Sequence, residues 1–233
     1  MDLGDFDAVS FDCYGTLIDW ETGLAAAFRP VLDAHGVAAD AEDVLGRYAR
    51  HEAEAAAEAG PYMIYRDVLA SGLSGVASEL GFEPSPAELA TFAGSVADWP
   101  AFPDSAEALQ RLKRRYRLGV ITNCDDDLFA RSNTRLGVEF DWVITAQQVG
   151  SYKPSHQNFE VAFERIELPR DRILHVAQSL YHDHVPAKEL GLSTVWIDRR
   201  LDRAGSGATP QAKAAPDATF PDMASFAEGA LAD

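Results

Sequence analysis

An apolar run near the start of the chain ends at Asp12, and Tyr14, Gly15 and Thr16 follow within four residues. A strand that runs into a glycine-containing loop places its last side chains at the carboxyl edge of a sheet, where α/β proteins bind their ligands. Asp12 is therefore predicted to present a carboxylate to a pocket.

Polar residues also follow apolar runs later in the chain. Thr122 and Asn123 end one run, Lys153 stands before Pro154, and Asp183 comes shortly after another run. An ammonium near Asp12 would offset the repulsion between that carboxylate and an anionic substrate. From the residues alone, Lys153 is either such an ammonium or an exposed lysine that only precedes a proline.

Strands and helices alternate through most of the chain, which predicts an α/β protein with a parallel sheet and right-handed crossovers. The acidic run from Asp125 to Asp127 is interpreted as the start of a helix, where carboxylates favour the positive end of the dipole. Strand-like segments lie at 7–11, 117–121, 141–145, 173–177, 193–197 and 218–220, with helical patterns at 105–115, 125–136 and 156–166.

Residues 18–98 break this alternation. They contain helical patterns at 21–35, 40–58, 61–80 and 86–97 and no convincing strand. We therefore expect a helical insertion between the first and second strands. A Gly-, Ala- and Pro-rich stretch at 203–216 is typical of a surface loop.

Composition limits the classes of function. The chain has 233 residues, 47% of them hydrophobic, and a formal net charge of -17. Such an acidic surface disfavours nucleic acid and anionic membranes, so local cations must attract any anionic substrate. The sequence offers neither a signal peptide nor a membrane span, and Cys13 and Cys124 do not suggest a disulfide framework. These features predict a cytoplasmic enzyme.

The segment Asp-x-Tyr-Gly-Thr at Asp12 resembles the first motif of the haloacid dehalogenase superfamily, specifically of its 2-haloacid dehalogenase branch. Thr122 with Asn123, Lys153 and Asp183 stand in the order of the three motifs that follow. The resemblance implies a Rossmann-like core formed by residues 1–17 and 99–233, with a helical cap at 18–98. It also implies a small anionic substrate and a possible homodimer.

Tyr14 bears on the reaction that the resemblance implies. Phosphatases of the superfamily carry a second Asp at this position, which protonates a departing alkoxide, whereas a departing halide needs no proton. The predicted reaction is therefore hydrolysis of a short 2-haloacid to a 2-hydroxy acid through an ester on Asp12, without metal or cofactor. The alternatives are a magnesium-dependent phosphatase that uses another acid and a non-catalytic binding protein.

The resemblance also implies roles for individual residues. Asp12, Lys153, Asp183 and Thr16 form the predicted catalytic set. The loop before Asp183 departs from the pattern of the known dehalogenases, because it has no counterpart of their water-orienting Asn and pocket Trp. The predicted substrate-binding residues are Tyr14, Thr122, Asn123, Gln178, Ser179, His182 and one of the two arginines Arg47 and Arg50.

Overall fold

The computed structural model describes residues 1–58, 62–201 and 209–232. Within these ranges, all sheet neighbours pair in parallel, in the order β3-β2-β1-β4-β5-β6. The predicted α/β fold class is thereby confirmed. The strands are β1 Ala8–Phe11, β2 Arg117–Thr122, β3 Trp142–Thr145, β4 Ile173–Ala177, β5 Ser193–Ile197 and β6 Ala218–Phe220.

β1 occupies the centre of the sheet, with Ala8 paired to Arg117 of β2 on one side and to Ile173 of β4 on the other. All four of its residues are buried, as expected for a strand covered on both faces. The strand order reverses at β1, and in open α/β sheets such a switch point opens a crevice beyond the carboxyl ends of the strands. The loop that contains Asp12 begins at this crevice.

Helices cover both faces of the sheet. Val9 and Phe11 belong to a core that includes residues of α5, α6 and α10, whereas Ala8 and Ile121 pack with residues of α8 and α9. The helices of this region are α5 Ser105–Leu112, α6 Asp126–Leu136, α7 Ala146–Val149, α8 His156–Ile166, α9 Val185–Glu189 and α10 Met223–Ala230.

Between β1 and β2 the described residues form helices and no strand: α1 Trp20–Ala34, α2 Ala41–Glu58, α3 Tyr65–Leu80 and α4 Pro86–Gly94. We refer to residues 18–98 as the helical insert. Asp19 caps α1, and Ser85 with Glu88 forms a capping box at α4. The division into two domains at these boundaries stays a prediction.

Two close contacts fix the packing of the insert. Gly72 of α3 lies against the ring of Tyr48 of α2, where an added Cβ would come within 2.6 Å of the ring. Gly23 of α1 lies against Trp99, the buried residue at which the chain returns to the sheet, and a Cβ there would come within 2.3 Å. Helices α1 and α3 therefore approach their neighbours at positions where only glycine fits.

Part of the predicted surface loop at 203–216 lies outside the described residues, which omit 202–208. In the described ranges, no helix combines the length and apolar character needed to cross a membrane.

Candidate active site

Lys153 joins the two acidic residues that the motifs predict. Its Nζ donates hydrogen bonds to Asp12 Oδ1 at 2.9 Å, to Asp183 Oδ1 at 2.7 Å and to the carbonyl oxygen of Ile121 at 2.8 Å. The side chains of Lys153 and Asp183 are each 1% exposed. The structure thus brings together, at the end of the central strand, three residues that lie far apart in the sequence.

The loop after Asp12 folds back so that Thr16 reaches the same carboxylate. Thr16 Oγ1 donates to Asp12 Oδ2 at 2.7 Å and accepts a hydrogen bond from the amide of Gln178 at 2.9 Å. Gly15 permits this turn: its φ is +94°, and a Cβ there would lie 3.1 Å from the indole nitrogen of Trp20. Thr16 therefore links the loops that follow β1 and β4.

A buried chain of hydrogen bonds supports Asp183 from behind. His175 Nε2 lies 3.0 Å from Asp183 Oδ1, and His175 Nδ1 lies 2.9 Å from Ser10 Oγ. Because an ionised carboxylate only accepts, His175 Nε2 carries the proton of its bond to Asp183. His175 lies within β4. It is buried, but it also orients a residue of the site.

Burial and charge act against each other in this cluster. Burial raises the pKa of Asp12, and the Lys153 ammonium and the Thr16 hydroxyl oppose that rise. Burial also disfavours the charged forms of Lys153 and Asp183, but their mutual attraction outweighs it, so the pKa of Lys153 is raised and that of Asp183 is lowered. The ammonium therefore favours ionised carboxylates on both sides of it.

Two adjoining spaces lie at or beside Asp12. A small pocket is lined by Asp12, Tyr14 and residues of the insert, and a cavity of about 480 Å³ lies beside it. Glu52, Asn123, Lys153 and His182 line both. Glu52 belongs to α2, so the insert contributes a carboxylate to the site.

The structure corrects the expectation that Arg47 or Arg50 faces the pocket. Arg47 donates to Asp43 and, at 2.6 Å, to Glu79 of α3, and Arg50 donates to the same Glu79 at 3.2 Å. Neither arginine lines the pocket or the cavity beside Asp12. Both lie on the side of α2 that faces the surface of α3, whereas Glu52 lies on its buried face.

Tyr14 and Asn123 line the pocket beside Asp12, whereas Thr122 does not. The Tyr14 hydroxyl lies 3.0 Å from Ser132 Oγ and accepts from Cys124 Sγ. Asn123 uses both side-chain polar atoms on the backbone of Lys153. Thr122 Oγ1 is buried without a partner in the described ranges, so its contact with a substrate anion stays a prediction.

The loop after β4 carries the other predicted substrate-binding residues. Ser179 Oγ accepts from the amide of His182 and lies 3.1 Å from His182 Nδ1, at the start of a π-helical turn spanning Leu180–His184. Burial lowers the pKa of His182 to about 4, so its imidazole is neutral at pH 7. Gln178 contributes its backbone to Thr16 and Trp196, and its side chain lies against Gly15.

The acidic run after β2 has a function that the sequence did not reveal. Asp125 stands at the N-cap of α6 but makes no capping bond with its side chain, which instead accepts from the Tyr62 hydroxyl and the Tyr65 amide. Asp127 accepts from Arg66 of α3. The interpretation of the run as a simple helix start is therefore incomplete, because two of its members hold the helical insert against the sheet.

This fold and this cluster define a class of hydrolase, and the comparisons agree with it. The profile of the haloacid dehalogenase-like hydrolases matches residues 6–183, and the chain belongs to this family. An (S)-2-haloacid dehalogenase of Pseudomonas fluorescens is 26% identical over 195 residues, covering 82% of this chain and 83% of that enzyme. The resemblance to the 2-haloacid dehalogenase branch is thereby confirmed.

Two further comparisons bear on fold and function. The structure of L-2-haloacid dehalogenase from Xanthobacter autotrophicus superposes with a TM-score of 0.79 at 21% identity, covering 96% of this chain and 97% of the other, which shows the shared fold. A glyceraldehyde 3-phosphate phosphatase of Methanothermobacter thermautotrophicus is 33% identical over 106 residues, covering 44% of this chain and 47% of that enzyme. Both reaction classes thus occur among proteins similar to this chain.

Proposed function

We propose that the protein is a hydrolytic dehalogenase of the (S)-2-haloacid type, which converts a short 2-haloacid to a 2-hydroxy acid. The observation that carries this proposal is the combination of a buried Asp12, held by Lys153 and Thr16, with a Tyr14 hydroxyl that is bonded to Ser132 and Cys124. Burial also raises the pKa of Tyr14 well above its usual value. Tyr14 is therefore a poor acid for an alkoxide, whereas a halide leaves without a proton.

In the proposed first step, an Asp12 oxygen forms a bond to the halogen-bearing carbon, and the carbon–halogen bond breaks with its electron pair leaving on the halide. Water then attacks the ester carbonyl carbon, and the 2-hydroxy acid leaves with the original carboxylate oxygen. Lys153 stabilises charge at the carboxylate in both steps. Asp183 Oδ2, which is buried without a partner in the described part of the chain, is an acceptor available for the proton of the water.

The first test is a panel of short 2-haloacids and phosphate monoesters, with halide and phosphate release measured with and without a chelator. We expect halide release that survives EDTA and little release of phosphate. Magnesium-dependent phosphate release far above halide release would overturn the proposal.

The second test follows oxygen atoms. In a single turnover with enzyme in excess in ¹⁸O-water, the hydroxy acid should be largely unlabelled and the peptide containing Asp12 should gain ¹⁸O. A labelled product with an unchanged Asp12 peptide would mean that water attacks the substrate directly, with Asp12 as a general base.

A second candidate function is a magnesium-dependent phosphatase, and the unpartnered Asp183 Oδ2 is the observation that favours it. Mg²⁺ is commonly held by one or two carboxylates together with waters and phosphate oxygens. Asp12 and Asp183 would be its protein ligands here, and the ion would neutralise charge on a phosphoryl group. The panel with and without chelator distinguishes this candidate from the dehalogenase.

A further inference from the structure

Glu52 is a buried carboxylate that none of the predicted roles includes. The residue is 8% exposed, and it lines both the pocket that contains Asp12 and the adjoining cavity of about 480 Å³. No hydrogen bond or ion pair joins Glu52 to another residue in the described part of the chain. A carboxylate that lines a reaction cavity and has no partner in the protein is open to a ligand placed there.

The titratable groups that surround Glu52 lie on its own helix, on neighbouring elements and across the cavity. Tyr48 of its own helix, Tyr65 of α3 and Tyr152 face it, and burial raises the pKa of each. Across the cavity lie Asp12, Lys153 and His182. His182 is neutral at pH 7, and Lys153 is bound to Asp12 and Asp183.

Lys153 is thus the only cation lining either space, counting described residues alone, and it is fully engaged. An anionic substrate therefore meets three carboxylates and one ammonium. If Glu52 were ionised, it would repel such a substrate. A protonated Glu52 would instead form an O–H···O⁻ hydrogen bond, which belongs to the strong, charge-assisted class.

We propose that Glu52 is the residue that recognises the substrate's carboxylate, as a protonated acid donating a hydrogen bond from the insert side of the pocket. The inference rests on the proposed dehalogenase function and specifies its substrate recognition. Glu52 then takes, through a hydrogen bond, the substrate-binding role that was expected of Arg47 or Arg50 on the same helix. It is a specificity-determining residue, and it makes binding of short carboxylates dependent on pH.

Burial raises the pKa of Glu52 to about 7, which sets the window of this dependence. Below this pKa Glu52 is protonated and can donate a hydrogen bond. Above it, the protonated fraction of Glu52 falls about tenfold per pH unit. Apparent affinity is reduced by that fraction, so raising the pH from about 6 to about 8.5 should weaken binding about 30-fold.

The test measures binding separately from turnover. An Asp12→Asn protein, which removes the nucleophile and its titration, is titrated with 2-chloropropionate by calorimetry at the two pH values. We expect the 30-fold loss in this protein and no such loss when Glu52→Gln is added, because the amide donates at both pH values. Glu54→Gln, an exposed carboxylate on the same helix, is the matched control and should keep the loss.

A second measurement tests the same inference if the Asp12→Asn protein does not fold. For otherwise unchanged enzyme, the KM for halide release should rise over the same window, and Glu52→Gln should remove that rise. Binding or KM that does not change with pH would overturn the inference, as would Glu52→Gln weakening binding more than tenfold at both pH values. Absence of halide release with pH-dependent binding retained would refute the dehalogenase and leave the role of Glu52 standing.

Discussion

Lys153 is the residue on which the charge balance of the site depends. One ammonium contacts two buried carboxylates, and it also donates to the backbone of β2 through the carbonyl of Ile121. Buried pairs of this kind gain little over apolar residues, but removing one partner leaves an uncompensated charge. Its loss should therefore affect folding as well as catalysis.

Replacing Lys153 with Met should lower the free energy of unfolding by about 3–5 kcal/mol at neutral pH. Because Asp12 and Asp183 then lack their cation, each favours protonation in the folded state, so the loss should grow as pH rises from acidic to neutral. Urea unfolding at several pH values measures it. A pH-independent loss would show that Lys153 contributes packing rather than charge compensation.

Glu52 should make the wild-type protein less stable as pH rises. Its pKa increases from 4.5 in the unfolded chain to about 7 in the fold, so the folded state holds the proton more tightly. The stability that this proton provides is complete below pH 4.5 and is lost as pH rises through 7. This sign is opposite to that of an ion-paired carboxylate.

Glu52→Gln should therefore match the wild type in stability at about pH 4 and exceed it by about 3 kcal/mol at about pH 8. Chemical denaturation at the two pH values tests the difference. A constant difference between the two proteins would mean that Glu52 titrates normally.

The inward position of Glu52 could have been predicted from the sequence, but the family resemblance directed attention to Arg47 and Arg50 instead. Val44, Leu45, Tyr48 and Ala49 are buried along one face of α2, and Glu52 continues that face four residues after Tyr48. A charged residue on an apolar stripe is the unusual one, whereas Arg47 and Arg50 fall off the stripe. Helical periodicity alone could have placed Glu52 inward, but not its position beside Asp12, which depends on the packing of the insert.

At the scale of elements, α2 and α3 approach closely because Gly72 leaves room for the Tyr48 ring. Gly72→Ala gains helix propensity but forces the ring to move, and overpacking of this kind costs about 1–3 kcal/mol. Gly46→Ala is the matched control, since nothing lies within 4 Å of the added Cβ, and it should stabilise by up to about 1 kcal/mol. Thermal unfolding of both variants tests the contrast. Equal effects would mean that Tyr48 relocates freely.

The strands were predictable almost to the residue, because most are short apolar runs, and β1 and β4 are buried throughout. The predicted segment 173–177 coincides with β4, and 193–197 coincides with β5. The end of β1 also located Asp12, since the carboxyl ends of parallel strands meet at one edge, whereas Lys153 follows α7 and Asp183 lies in the turn after β4. The π-helical turn at Leu180–His184 could not be foreseen, because no local pattern distinguishes it from an ordinary helix start.

At the scale of the whole molecule, polar contacts join the insert to the rest of the chain at several points, including Arg200 with Glu21 of α1 and Glu42 of α2. Asp125 accepts from Tyr62 and from the Tyr65 amide, and the Tyr152 hydroxyl donates to the carbonyl of Met63 at 2.7 Å. The sequence could not reveal this, since an aspartate after a strand is equally suited to capping a helix. The side chain of Asp125 instead binds the amide of Tyr65, which is sixty residues away in sequence.

Asp125→Asn should weaken this attachment by about 1–3 kcal/mol, because the amide cannot accept from both donors and one is left buried without a partner. Hydrogen exchange at the Tyr65 amide should accelerate accordingly. Asp127→Asn, which breaks only the more exposed pair with Arg66, is the control and should cost about 0–1 kcal/mol. Unchanged exchange in the Asp125 variant would show that the contacts of Asp125 do not limit opening of the insert.

The central position of β1 has a consequence for how the chain is made. Among the described elements β1 precedes the other strands in the chain, and its neighbours β2 and β4 begin only at Arg117 and Ile173. With synthesis at roughly 5–20 residues per second, the strand waits several seconds for any partner. As residues 18–98 emerge, the helical insert supplies apolar surface that packs in the same core as Val9 and Phe11, so the order of translation favours a nascent chain in which the insert covers β1 until the sheet can form around it.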